Sequence, residues 1–503
     1  MQEDATGEAA SASNASRNER LVVVAGLLAL GGYLRASLVA PETAWFDDAW
    51  VAYAHRAPWG DLTEIALGAP GFSILLRLWS EVVGFGTFRI QFIPLVAALA
   101  APPLAYWLLR RRTGLVAALA GALWIVFSPV HLVYSGRIKQ YSLDVVFSLL
   151  IVHLSWRAIE SPDDRSTWRN LALVSAVAVS VSFPLVLVAA PACAVPLLAS
   201  VWRSRRVELT HLWLTLPLVT APLWYVIVIR HRQYPNLIRF WSDAYVQTDA
   251  GLLVMVESIL GRVADVAGFL APGPFVVSVA LVGGLIAWAL RAAPLQIVVP
   301  LLTFAGAGAL ALDGRAPLGG GRTDLYLLGG LVLAAGLGFD RIVSRSRTRE
   351  AVAGVAIAVL TVVGLVTTER PDYPDQRAGD VIAEIEARRT ADDQVLVYHN
   401  AKFAWLAYTD VPAEVIPRWA PYGIEVLDPA IVVQPFPPNQ AAVSEVLDRL
   451  DADVERVWLF GTDLRWSWQA TIDVMVADGW AIAELDDEGR GRMVLFERSS
   501  DAS

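Results

Sequence analysis

The sequence predicts a mainly α, polytopic membrane bundle of about eleven transmembrane helices, followed by an extracytoplasmic α/β domain. Three observations predict it. Of the 503 residues 55% are hydrophobic and only 18% charged, and the mean hydropathy is +0.49, values that belong to multi-pass membrane proteins. Apolar stretches of about 20 residues recur up to residue 367, long enough to cross the hydrocarbon core as helices that satisfy their own backbone hydrogen bonds. Basic residues, finally, gather in alternate connections between these stretches, as they do on the cytoplasmic side of a membrane.

The expected spans run roughly 21–39, 89–109, 114–130, 141–158, 169–182, 184–202, 211–229, 274–290, 295–312, 325–340 and 351–367. In the fifth and sixth, "SFPLVLVAAPACAVPLL" holds prolines that mark either a turn or kinked helices. The Arg-rich connections carry Arg17 and Arg20; Arg110, Arg111 and Arg112; Arg157, Arg165 and Arg169; Arg203, Arg205 and Arg206; Arg291; and Arg341, Arg345, Arg347 and Arg349. All fall on one side if the number of spans is odd and the N-terminus is cytoplasmic, a multi-pass arrangement in the cytoplasmic membrane that puts the C-terminal domain outside. Residues 1–16 are polar and small and are expected to form a disordered cytoplasmic tail. Residues 17–368 form the expected transmembrane catalytic domain. Residues 369–503 alternate β-rich runs ("QVLVYH", "ERVWLFG", "RMVLFER") with helical patterns, an α/β unit without GxGxxG.

The net charge of -9 says little about partners, because the cations are segregated by loop; no nucleic-acid partner is expected, whereas membrane lipid is. The single cysteine, Cys193, excludes an intramolecular disulfide, and none of the six histidines pairs at metal-ligand spacing. No cofactor is expected; a divalent cation on paired aspartates has no further support.

Chemistry-bearing residues concentrate in the outer loops. In "PETAWFDDAWVAYAHR", Asp47 and Asp48 sit among aromatics just past the first span. One acid can cap the following helix while Trp45, Phe46 and Trp50 form an interfacial belt; alternatively, a carboxylate in an apolar groove has raised proton affinity and suits a general base. Residues 68–86 show apolar side chains at helical spacing but are too short to span, as in a helix lying in the interface. "SGRIKQYSLD" places Arg137 and Lys139 outside, against the sidedness of every Arg-rich loop. Their expected partner is a lipid phosphate; the alternatives are snorkelling to bulk lipid or a Lys139–Asp144 salt bridge. Of 40 basic residues only Lys139 and Lys402 are lysine. "APLGGGRTDLYLL" sets Arg322 behind three glycines at a helix start, either an anion cradle of backbone N–H groups or a flexible turn with an interfacial arginine. Arg239, Trp241 and Tyr245, in "RQYPNLIRFWSDAYV", suit a sugar ring or an interfacial anchor.

The order of these motifs resembles the GT-C glycosyltransferases, specifically the bacterial branch similar to protein mannosyltransferases and the lipid A aminoarabinose transferase. The likeness covers roughly residues 20–370. The family's acidic pair matches Asp47 and Asp48; its Pro-Pro-Leu-Tyr-Tyr stretch looks like "APGFSILLRLW", retaining Pro70; its Ser-Pro-x-His-x-x-Tyr-Ser run matches "SPVHLVYSGRIKQYSLD" through Ser135. Lys139 and Tyr141 stand where the family has a basic residue and a tyrosine, and Arg322 looks like its arginine in a glycine-rich turn. Gly136 and Arg137 replace a common Gln-Glu, and Ala69 stands where a polar residue often precedes the proline, so donor identity does not carry over. The resemblance implies a polyprenyl-phosphate-linked sugar as donor, a glycan, lipid or protein acceptor on the outer face, and inversion at the anomeric carbon. On this reading Asp47 is the base with Asp48 in support, Arg137, Lys139 and Arg322 hold the donor phosphate, and Tyr141, Trp241 and Tyr245 contact substrate. A lipid-linked-sugar transporter or flippase, or a non-catalytic cell-envelope scaffold, is the rival.

Overall fold

The computed structural model describes residues 3–39, 46–54, 56–62, 70–227, 241–248, 251–270, 275–370, 377–415, 424–434, 440–462, 468–486 and 491–499. Arg239, Trp45 and Ala69 lie outside them, and at Asp47 only the backbone is described. In chain order the helices are α1 (Glu3–Arg35), α2 (Phe46–Ala54), α3 (Gly71–Val83), α4 (Thr87–Arg110), α5 (Leu115–Phe127), α6 (Pro129–Tyr134), α7 (Tyr141–Glu160), α8 (Arg165–Val181), α9 (Val186–Ser204), α10 (Thr215–Ile227), α11 (Leu252–Leu270), α12 (Phe275–Ala292), α13 (Pro294–Leu312), α14 (Leu325–Val343), α15 (Arg347–Thr367), α16 (Ala378–Arg388), α17 (Lys402–Tyr408), α18 (Gln440–Leu447) and α19 (Trp468–Ala477). The strands are β1 (Gln394–Val397), β2 (Ala413–Val415), β3 (Ile424–Val426), β4 (Ile431–Val433), β5 (Arg456–Thr462), β6 (Trp480–Asp486) and β7 (Gly491–Arg498). The chain divides into two compact units, Met1–Leu38 with Ile93–Pro371, and Val39–Phe92 with Asp372–Ser503.

In the first unit each of the eleven expected spans coincides with a helix. Among the described residues eight are long and apolar enough to cross a membrane. The helices α5 and α8, with 13 and 17 residues, are shorter; α5 stops where Ser128-Pro129 breaks the backbone ladder and starts α6. The proline-rich stretch resolves into a 3-10 turn at Phe183–Leu185 and the helix α9, which carries Pro191 and Pro196 inside it. Residues 3–16, expected to be disordered, extend α1 instead; the run is rich in alanine, the strongest helix former. At the centre, α14 packs backbone to backbone: a Cβ on Gly329 would lie 2.7 Å from the Leu149 N, and one on Gly338 2.2 Å from the Leu285 O. Small residues at such crossings are how membrane helices approach closely.

The Arg-rich connections come together at one end of this bundle. Arg110 pairs with Glu19 at 3.0 Å, Arg112 with Glu160 at 2.6 Å, Arg203 donates to the Ile159 O at 3.0 Å, and the Gly114 N–H donates to Asp340 Oδ1 at 2.8 Å. A cavity of about 370 Å³ opens there, lined by Arg110, Arg111, Arg112, Asp340 and Glu350; it holds no candidate site residue.

In the second unit a five-stranded sheet has the order β4-β1-β5-β7-β6, with β4, β1 and β5 parallel and β7 and β6 antiparallel. The expected β-rich runs are β1, β5 and β7, and the two expected helices are α18 and α19. The outer-loop helix α2 lies on α17: the Trp50 ring stacks on Phe403 at 5.6 Å, and Arg56 donates to the carbonyls of Ala407 and Thr409 at 2.7 and 3.0 Å. The interfacial candidate is α3, 13 residues long.

At the start of α17, Lys402 is 3% exposed, and burial pushes its ammonium down to about 8. An unfolded chain keeps that proton to about pH 10.4, so the unfolded state binds more protons between the two values and stability rises with pH there. Below the folded value the whole burial penalty, about 3 kcal/mol, is present. The thermal midpoint of the detergent-solubilised protein is therefore expected to rise between about pH 8 and about pH 10.4, and Lys402→Met to remove that rise; an unchanged slope in the variant refutes the assignment.

Candidate active site

Three loop segments meet at the end of the first unit opposite its Arg-rich connections. The turn after α6 is tight because Gly136 is pressed by α1: a Cβ there would lie 2.7 Å from Leu38 Cβ and 2.9 Å from the Leu38 O. That is the physical reason for glycine where the resembling family has a longer side chain. Arg137 follows, 5% exposed, its guanidinium 5.8 Å from the Tyr134 ring, which in turn meets the Tyr141 ring edge-on at 5.4 Å. Lys139 is half-buried in the same turn, its N–H bonded to the Arg137 O at 2.8 Å. The salt-bridge alternative for Lys139 does not hold: Asp144 is 3% exposed inside α7 with the Ser182 hydroxyl as its polar neighbour, and forms no ion pair among the described residues.

The second segment is the glycine turn. Gly319 and Gly321 have φ of +77° and +71°, a region that favours glycine, and a Cβ on Gly320 would meet the Trp241 ring at 2.9 Å. Arg322 stands over that same indole, 5.4 Å from its centroid. The sequence offers the three glycine N–H groups as a cradle for a substrate anion. One of them is already used: the Gly321 N–H donates to Oδ2 of the buried Asp324 at 3.1 Å. The turn is thus tied at Gly321 by its own acid, with the Arg322 side chain beside it.

The third segment, 241–248, is joined to the second by two backbone bonds, Leu318 N–H to the Ala244 O at 2.9 Å and Val246 N–H to the Ala311 O at 3.3 Å. It carries Trp241 and Tyr245, both half-buried; burial raises the Tyr245 hydroxyl above its usual range. Segments one and two touch as well, since Gly321 lies against Val130 of α6, where a Cβ would meet Cγ2 at 3.6 Å.

Asp47 and Asp48 belong to the other unit, in the first turn of α2 rather than at its N-cap, so the capping alternative does not apply. Asp48 is fully buried, and Trp50, expected in an interfacial belt, is 6% exposed and stacked on Phe403. An acid in a first helical turn is favoured by the macrodipole.

Residues 68–227 match the family model for dolichyl-phosphate-mannose-protein mannosyltransferase. Over 96% of this chain and 98% of the other, the fold follows the crystal structure of ArnT from Cupriavidus metallidurans bound to undecaprenyl phosphate, at 13% identity and a TM-score of 0.59. A second likeness of fold is to the archaeal oligosaccharyltransferase AglB from Archaeoglobus fulgidus, in complex with an inhibitory peptide and a dolichol-phosphate, over 96% of this chain and 75% of that one, with 11% identity and a TM-score of 0.53. No curated protein sequence matches the chain.

Beside these candidate residues, sequence reasoning missed Asp324 and Arg35. Asp324 is two residues past Arg322, and its spacing to the glycines carried the signal of an acid able to close the turn. Arg35, at the outer end of the first span, breaks the same sidedness that exposed Arg137.

Proposed function

We propose that this GT-C-type glycosyltransferase moves a sugar from a polyprenyl-phosphate donor to an acceptor hydroxyl on the outer face of the cytoplasmic membrane, with inversion. The observation that supports it most is the gathering of the Arg137, Lys139 and Arg322 segments at the bundle end opposite the Arg-rich connections. By the positive-inside rule that end faces outward and the N-terminus is cytoplasmic. A lipid phosphate is a good leaving group, so the reaction needs cations for departing charge and a base for the acceptor, with little call for a general acid.

In this mechanism Asp47 takes the acceptor proton, with Asp48 in support, as the acceptor oxygen bonds the anomeric carbon. The bond from that carbon to the phosphate oxygen breaks with its electron pair on the oxygen, and Arg137, Lys139 and Arg322 meet the growing negative charge. Tyr141, Trp241 and Tyr245 offer flat rings and hydroxyls to the sugar. The polyprenyl phosphate and the acceptor are the substrates.

The reading is tested with the full chain in nanodiscs and a polyprenyl-phosphate-linked sugar. Lys139→Glu is expected to weaken donor binding about 10- to 100-fold and to slow transfer. If the variant changes only protein yield, Lys139 merely snorkels to lipid. Donor binding without transfer by the parent protein indicates a transporter or scaffold.

A further inference from the structure

Arg35, the last residue of α1, is 1% exposed, yet among the described residues it meets no carboxylate. Its Nη1 donates to the Gly31 O at 3.3 Å, its Nη2 lies 3.1 Å from His131 Nδ1, and its Nε has no partner. His131 is fully buried, its Nδ1 is also 3.1 Å from the Ile125 O, and its Nε2 has no partner. Nδ1 serves one of these neighbours at a time: it accepts from the Arg35 guanidinium when the imidazole proton is on Nε2, or donates to the Ile125 O when the proton is on Nδ1. In the first tautomer two buried donors, Arg35 Nε–H and His131 Nε2–H, are unmet; in the second the two are Arg35 Nε–H and the Nη2–H that faced His131. A third stands one turn earlier in the same segment: Ser128, fully buried ahead of α6, makes no capping bond, and its hydroxyl has no partner.

An unbalanced buried cation beside unmet donors is costly unless an anion with several acceptor oxygens completes it. The place is next to the candidate site, because Leu38, one turn beyond Arg35, is the residue pressed on Gly136, the neighbour of Arg137. We propose that Arg35, His131 and Ser128 form an additional anion site that receives the phosphate of the polyprenyl carrier, favouring the doubly charged product over the sugar-linked donor. The proposal rests on the transferase reading above. It gives Arg35 the part of taking up charge that appears only as the glycosyl bond breaks, with Arg137, Lys139 and Arg322 holding the phosphate already present in the donor.

The test is the affinity of full-length protein, in nanodiscs of zwitterionic lipid, for a polyprenyl phosphate. Arg35→Met is expected to weaken it about 10- to 100-fold, and Ser128→Ala by a smaller factor. The lipid-free thermal midpoint is expected to hold or rise, because the variant removes a buried charge that nothing balances. Unchanged affinity overturns the proposal, as does a lower lipid-free midpoint, which would make the guanidinium a structural tie between α1 and α6. Displacement of the polyprenyl phosphate by an equal mole fraction of phosphatidylglycerol overturns the assignment to the carrier. Lys139→Glu is measured alongside. Loss in that variant with parent-like binding in Arg35→Met sinks this inference alone, whereas parent-like binding in both sinks the donor-site reading as well.

Discussion

Asp47→Asn is expected to lower the rate of glycan transfer about 10³-fold while leaving polyprenyl-phosphate affinity at the parent value. Asparagine keeps the size and one carbonyl acceptor of aspartate but cannot take up a proton at neutral pH. The acceptor hydroxyl then attacks with its proton still bound, and the lost stabilisation falls on the transition state alone, so kcat drops with little change in donor KM. Membranes or nanodiscs carrying the variant, supplied with donor and assayed for released polyprenyl phosphate, give both parameters. Parent-like turnover removes Asp47 from the role and leaves Asp48→Asn as the variant to examine.

Asp324→Ala is expected to raise the donor KM about 10²-fold with a smaller change in kcat. The carboxylate accepts from the Gly321 N–H at 3.1 Å. Leaving even one buried N–H unmet costs about 1–3 kcal/mol, and a turn with two left-handed glycines has little else to hold its shape. Arg322 then no longer stands over Trp241, and a phosphate loses one of its cations. Asp324→Asn keeps one acceptor oxygen and is expected to fall between the two. A parent-like KM in the alanine variant shows that the turn supports itself.

Legibility in the sequence followed the physics of each feature. Span positions were readable because hydrocarbon leaves the backbone no alternative to self-satisfied helices, so even the short α5 and α8 fell where apolar runs placed them. The strands β1, β5 and β7 were readable because each is an apolar run in the sheet interior. Arg137 and Lys139 were singled out by a violated charge rule, and the same rule applied to span ends singles out Arg35. What composition does not carry is who occupies a donor or acceptor. The glycine turn before Arg322 looked like an open cradle because nothing local says that Asp324 folds back to tie it. Residues 3–16 looked too polar to fold, although alanine content favoured the helix seen there. The placement of Trp50 on Phe403, more than 300 positions away, follows from long-range packing that no local pattern announces.

The helix α15 buries none of its apolar window. Outside its close approaches to α5, where a Cβ on Gly364 would meet the Phe127 ring at 2.9 Å, such a rod is constrained by solubility and length rather than shape, so drift in those side chains carries little penalty as long as they remain greasy. Evolution is therefore free to rewrite this leash while the crowded interior helices α7 and α14 stay locked by their neighbours, and variation along the chain should be read with that asymmetry in mind.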